Sequence, residues 1–368
     1  MIDSKLLKNE ERAMLSLRAL YKNHGYLPFK MSKFEEYDLY VRNKEFLVSD
    51  SVITFNDTDG RLLALKPDVT LSIIKNGVDV PGCKQKVYYN ENVYRVSGST
   101  HLFKEILQSG VECIGDIDIL DLYESVYLAA KSLSTISDRF VLDISHMGIL
   151  SAVLDNASTD EVFKKSALSF IGDKNSHDLR KLCAEYGVSR EAEDLLVSLI
   201  AAYGAPGKVL ADLSMLRDMP STQEAYNELF AICKMLETSD VCANIRVDFS
   251  VVNNMSYYNG IVFKGFLDGI CEGVLSGGQY DDLVKRMGRN SKAVGFALYL
   301  DLLESLGNED NNLDVDFLVI YDDKTNVEDV ITAKSELVSK GKSVLTSKAI
   351  PDKLRFVEML DMRKEASV

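Results

Sequence analysis

Lys84-Gln85-Lys86-Val87-Tyr88-Tyr89-Asn90-Glu91-Asn92-Val93-Tyr94-Arg95, followed by Leu102 to Ile114, forms two β-rich runs joined by the polar loop Val96-Ser97-Gly98-Ser99-Thr100. Such a pair predicts a long hairpin, and with it a body built on a sheet. Upstream, Ser51-Val52-Ile53-Thr54-Phe55 and Leu62-Leu63-Ala64-Leu65 flank Asn56-Asp57-Thr58-Asp59-Gly60, a second hairpin with turn chemistry between its arms. Pro67-Asp68 opens a helix running to about Asn76. Proline suits a first helical turn, and an acid there complements the helix dipole. Further back, Ala13, Met14, Leu17, Leu20 and Tyr21 recur at helical spacing over 4–24, with Gly25 as the stop. The turn Tyr26-Leu27-Pro28 and a mixed stretch from Phe34 to Tyr40 lie between.

Downstream, the spacing predicts a helix over 117–135 with Leu122, Tyr123, Val126, Tyr127 and Ala130 on one face, then a strand from Arg139 to Ser145. From about 147 to 238 the pattern is helical almost throughout, punctuated by Gly172, Gly187 and Gly204-Ala205-Pro206-Gly207. Strands return at Ile245 to Phe249, Gly260 to Phe266 and Cys271 to Leu275, before an apolar helix at Val294 to Leu306. Residues 307–314 are a polar linker. A short β-α-β-α tail over 315–368 follows, with a strand at Phe317 to Tyr321, a helix at 327–340, a strand at Ser343 to Leu345 and a last helix. The expected fold class is α+β: an antiparallel sheet with flanking helices as a core over 1–306, a helical insertion at about 147–238 and a short α/β appendix.

Composition narrows the function. The chain has 368 residues, 46% hydrophobic and 27% charged, enough for a sizeable core and two or three domains. No apolar run reaches the roughly 18 residues of a membrane helix, and the start, Met1-Ile2-Asp3-Ser4-Lys5, lacks the basic head and apolar segment of a signal peptide. Six scattered cysteines form no CxxC pair. That argues for reduced thiols in a cytoplasmic setting, and against structural zinc. The four histidines share no short motif, so no metal is expected. Lys plus Arg is 42 and Asp plus Glu is 56, a net charge of −14. Nucleic-acid affinity draws on basic faces that displace counterions, so no nucleic-acid partner is expected.

Nothing suits nucleophilic catalysis: there is no GxSxG, no P-loop and no GxGxxG. Three polar segments inside the β-rich body remain. In Leu65-Lys66-Pro67-Asp68-Val69-Thr70, a carboxylate and a hydroxyl can accept from an ammonium group, or simply cap a helix. Arg95, with Gln108-Ser109-Gly110-Val111-Glu112 on the next strand, can line a cleft or form a solvated strand face. Asn253-Asn254-Met255-Ser256-Tyr257-Tyr258-Asn259-Gly260 and Ser276-Gly277-Gly278-Gln279-Tyr280-Asp281 can frame a small-ligand pocket, or be turns with aromatic packing.

Taken in order, these segments give the chain from about residue 5 to 306 a resemblance to the catalytic core of class II histidyl-tRNA synthetases. Lys66-Pro67-Asp68-Val69-Thr70 resembles that family's Arg-Pro-Glu-Gly-Thr. Val93-Tyr94-Arg95 resembles the Phe-Arg of motif 2, and Gln108 to Glu112 its Gln-x-Gly-x-Glu. Tyr257-Tyr258-Asn259-Gly260 is similar to the end of Arg-Gly-Leu-Asp-Tyr-Tyr-x-Gly, and Gly277-Gly278-Gln279-Tyr280-Asp281 to Gly-Gly-Arg-Tyr-Asp. Val294-Gly295-Phe296-Ala297 resembles the opening of motif 3. The resemblance implies that Asp68 and Thr70 hold an ammonium group and that Gln108 stands near a carboxylate. It further implies that Glu112 and Tyr258 face an imidazole and that Tyr280 lines the same pocket.

The departures imply a change of function. Asn253 stands where the synthetase has its catalytic arginine, and Leu302 where motif 3 has the arginine that clamps ATP phosphate. The motif 2 loop reads Val96-Ser97-Gly98-Ser99-Thr100, so only Arg95 survives among the phosphate-facing arginines. Each lost electrostatic donor costs about 10²–10³ in rate, so adenylation is expected to be lost and no residue is assigned as catalytic. Such a core, with a truncated anticodon-binding tail, resembles the regulatory subunits of ATP phosphoribosyltransferase. Resemblance to that family implies a short catalytic subunit as partner, a homodimer through the class II core, L-histidine as effector and no cofactor. The alternative is a divergent histidyl-tRNA synthetase or another amino-acid-activating ligase.

Overall fold

In the computed structural model, which describes residues 7–44, 47, 52–77, 80–96, 101–252, 257–306 and 313–363, the chain forms two compact units, Met1–Ser305 and Leu306–Val368. The first begins with α1 (Asn9–Asn23) and the two-residue strand β1 (Leu27–Pro28). Next come β2 (Phe34–Glu36), α2 (Tyr37–Arg42), β3 (Thr54–Asn56), β4 (Leu62–Leu65) and α3 (Thr70–Asn76). The long hairpin is β5 (Lys84–Val96) and β6 (Phe103–Gly115), followed by α4 (Ile119–Ile136) and β7 (Phe140–His146). Helices α5 (Met147–Ala157), α6 (Glu161–Gly172), α7 (Ser176–Glu185) and α8 (Arg190–Ala201) form the insertion with the strand β8 (Tyr203–Gly204), α9 (Pro206–Asp212) and α10 (Gln223–Leu236). The unit closes with β9 (Ile245–Asp248), β10 (Ile261–Leu267), β11 (Leu275–Gln279), α11 (Asp281–Arg286) and β12 (Lys292–Tyr299).

A nine-stranded sheet runs in the order β1-β5-β6-β12-β11-β10-β7-β9-β8. Its pairs are antiparallel except β1 with β5 and β7 with β9. Helices α1 and α4 pack on one face. There Tyr21 of α1 meets Tyr88 and Phe296 ring to ring, and its hydroxyl lies 3.0 Å from Ser132 Oγ on α4. Ala13, Leu17 and Tyr21, four residues apart, are the buried stripe that makes α1 helical. Gly25 at φ +81° turns the chain out of it. The insertion helices begin where side chains can cap them. Asp160, Asn175 and Ser189 accept from the backbone N–H groups of the first turns of α6, α7 and α8.

The opposite face carries the three-stranded sheet β2-β4-β3 and helices α3 and α11, which share a core of Val69, Leu71, Val93, Ile114, Leu283 and Ala293. Successive side chains alternate between faces. Tyr89, Glu91, Val93 and Arg95 of β5 therefore share this face with Gln108, Gly110 and Glu112 of β6.

Three expectations are corrected. The apolar stretch 294–306 is not a helix. It is the interior strand β12, with only a 3₁₀ turn over Leu300–Ser305. A strand buried on both faces is apolar throughout and carries no period that separates it from a buried helix. The third returning strand lies at Leu275–Gln279 rather than 271–275, because the double glycine belongs to the sheet and not to a turn. In the second unit, β13 (Val315–Ile320), α12 (Val327–Ser339) and β14 (Val344–Ser347) are followed by a strand, β15 (Phe356–Asp361), where a last helix was expected. Pairing of β15 with β13 decides that run, so the tail is β-α-β-β with the parallel order β14-β13-β15. Asn253, the loop residues 97–100 and most of the expected linker (307–312) lie outside the described residues. No described helix is long and apolar enough to cross a membrane.

Candidate functional site

Between the sheet and the start of α3 lies a cavity of about 360 Å³, the size of a small-ligand site. Asp68, Thr70, Arg95, Gln108, Glu112, Tyr258 and Tyr280, all named from the sequence, line this one cavity. Asp68 and Thr70 arrive from the turn into α3, Arg95 from β5, and Gln108 and Glu112 from β6. Tyr258 precedes β10, and Tyr280 sits between β11 and α11. The structure adds Tyr89 and Tyr299 to the lining, and from the two segments read as a pocket frame it also brings in Tyr257 and Ser276. Tyr89 was legible in principle, since it stands on the arginine's side of β5 at an even offset. Tyr299 enters through strand register alone, opposite Gln108.

Glu112 is the best-held group. The Thr70 hydroxyl donates to Oε1 at 2.9 Å and the Tyr280 phenol to Oε2 at 2.5 Å. Gly295 lies directly across from it on β12, and a Cβ there would stand 1.7 Å from Oε2. The glycine thus makes the room the carboxyl group occupies. Burial pushes the Glu112 carboxyl up to about 8, helped by the nearby negative charge of Asp68 and opposed by the two hydroxyl donors. Burial also raises Asp68, against the Leu71 N–H that donates to Oδ1 at 3.0 Å and the attraction of Arg95. Helix capping and cavity lining therefore coexist in Asp68. Burial holds the phenols of Tyr89, Tyr257, Tyr258 and Tyr280 well above the ordinary tyrosine range, so they remain neutral.

Gln108 is buried, and among the described residues its Nε2 has no hydrogen-bond partner. Leaving such a donor unmade costs about 1–3 kcal/mol, which a ligand carboxylate can recover. The half-buried Asp68 and the buried Glu112, among five tyrosine rings, favour a cationic group at the other end. Arg95 is the one cation among the described lining residues, and its Nε donates to the Pro67 carbonyl at 3.0 Å. The arrangement is suited to a small zwitterion. Among the described lining residues it holds few of the donors that a polyphosphate would need.

A family model for histidyl-tRNA synthetase matches residues 3–303. The ATP phosphoribosyltransferase regulatory subunit of Clostridium kluyveri is 31% identical over 340 residues, covering 88% of this chain and 85% of that one. The chain belongs to the histidyl-tRNA synthetase family, on its ATP phosphoribosyltransferase regulatory-subunit branch. Solved relatives agree in fold. A Bacillus halodurans structure described as an ATP phosphoribosyltransferase regulatory subunit/histidyl-tRNA synthetase superposes with a TM-score of 0.75 at 22% identity, covering 99% of this chain and 97% of that one. A chain of the ATP phosphoribosyl transferase complex from Thermotoga maritima gives a TM-score of 0.62 at 19% identity, covering 78% and 96%. The family match thus spans the whole sheet and the helical insertion, and ends short of the β13–β15 tail.

Proposed function

We propose that this chain is a non-catalytic regulatory subunit of ATP phosphoribosyltransferase, acting in the first step of L-histidine biosynthesis. It joins and activates a short catalytic subunit and contributes to feedback inhibition by histidine. The observation that carries the role is the 31% identity to a regulatory subunit across most of both chains. The described assembly of the Thermotoga maritima relative supports a hetero-oligomer. The cavity supports free L-histidine as its occupant, with Asp68 and Thr70 toward the ammonium group, Gln108 toward the carboxylate, and Glu112, Tyr258 and Tyr280 around the imidazole. A protonated Glu112 can give its proton to an imidazole in the cavity and pair with the resulting cation. Arg95 is the residual arginine of the phosphate-facing set. We further propose a homodimer through the class II core, in the cytoplasm, without cofactor or nucleic acid.

Mixing the purified chain with a short catalytic subunit tests the role directly. Phosphoribosyl transfer should rise on mixing, and histidine should lower it. A rate unchanged by the chain, or histidine-dependent pyrophosphate–ATP exchange by the chain alone at a synthetase's pace, would overturn the reading.

A further inference from the structure

We propose that Lys66, Glu91 and Arg95 form a clamp that sets the position of the Asp68 carboxylate, making Lys66 a positioning residue for the ammonium end of the ligand. This rests on the histidine reading given above. Lys66 is wholly buried, and its ammonium group donates to Glu91 Oε2 at 2.6 Å. Its backbone is held as well: Lys66 N–H donates to the Lys33 carbonyl at 3.1 Å, and Tyr94 N–H to the Lys66 carbonyl at 2.9 Å. One residue later, the Pro67 carbonyl accepts from Arg95 Nε at 3.0 Å. Asp68 is next in the chain.

The grip follows from strand alternation. Glu91, Val93 and Arg95 stand two residues apart on one face of β5. Val93 sits in the same buried core as Val69 and Leu71, while the charged residues on either side of it take the side chain and backbone of 66–67. Four bonds to residues 66–67 thus fix the chain immediately before Asp68, one of them an ion pair whose lysine lies out of reach of solvent. A buried cation needs its partner, and a lysine placed only for stability gains little over an apolar residue. Here the pair ties the Asp68 turn to β5, whose cross-strand neighbour of Glu91 is Gln108. The two ends of the zwitterion site are thereby set from one strand pair.

Calorimetric titration of the full chain with L-histidine and with 3-(imidazol-4-yl)propionate, which lacks the ammonium group, separates positioning from bulk stability. Lys66→Met should weaken histidine about ten-fold or more and the des-amino compound less than about three-fold, and Lys66→Arg should restore histidine binding. If Lys66→Met does not fold, the paired apolar variant Lys66→Met/Glu91→Leu removes the buried charges together and is expected to fold. It should show the same selective loss. Equal loss of both compounds, or no loss of either, in a folded variant overturns the clamp. An unsubstituted chain that binds neither compound instead overturns the histidine reading itself, and the clamp with it.

Discussion

At the scale of single residues, Glu112 is the group whose chemistry is furthest from ordinary. Its carboxyl sits at about 8 in the folded chain against 4.5 in the open. Between those values the folded state holds a proton that the unfolded state has released. The stabilisation is complete below 4.5 and is lost as pH rises through 8. Between about pH 5 and pH 9 the native chain should lose roughly 3–5 kcal/mol more than Glu112→Gln, which has no proton to lose. Denaturant unfolding at each pH measures this, and parallel curves for the two proteins would count against a protonated Glu112. Asp68→Asn keeps the shape and removes the charge, so histidine should bind about ten-fold or more weakly. An unchanged histidine-dependent rise in melting temperature would place the ammonium elsewhere.

Among the elements, the cavity depends on strands that carry glycine on the face that lines it. Gly295 of β12 faces Glu112, and Gly110 of β6 would put a Cβ 2.2 Å from the Phe296 carbonyl. Gly295→Ala should fill the floor of the cavity and push the Glu112 carboxyl off Tyr280. Overpacking of this kind costs about 1–3 kcal/mol, and the variant should also lose any thermal stabilisation by histidine. Retention of both by a folded variant would show that the floor can give. Element type was legible wherever period and punctuation agreed, as in α1, the β5–β6 hairpin and the capped insertion helices. It failed at β12 and β15. Their short apolar runs lack a distinguishing period, and pairing with β6, β11 or β13 supplied the deciding hydrogen bonds.

Over the whole molecule, the net charge of −14 sets the expectation for nucleic acid. At physiological salt, tRNA should bind no tighter than the non-specific range of about 10⁻⁴ to 10⁻⁶ M. Submicromolar binding with a steep salt dependence in a filter or fluorescence assay would contradict it. Light scattering of the isolated chain at tens of micromolar should return the mass of a dimer. A monomer would argue against the α1 and β2 region as a class II interface.

What the sequence determined by itself was chemistry and order: a glutamine and a glutamate four residues apart on a strand, an acid and a hydroxyl at a helix start, paired tyrosines, and a double glycine before Tyr280. From these, through the resemblance to the histidyl-tRNA synthetase core, the kind of core and the identity of seven lining residues could be written down. Tertiary structure alone decided that Asp68 and Tyr280, more than two hundred residues apart, stand in one cavity, and that Tyr89 and Tyr299 join them. The physical reason is register. A shift of one residue turns every side chain of a strand to the other face, and only the pairing of β5 through β6, β12 and β11 fixes which face that is. Burial completed the work: it raised Glu112, left the Gln108 Nε2 without a partner among the described residues, and enclosed Lys66 with Glu91.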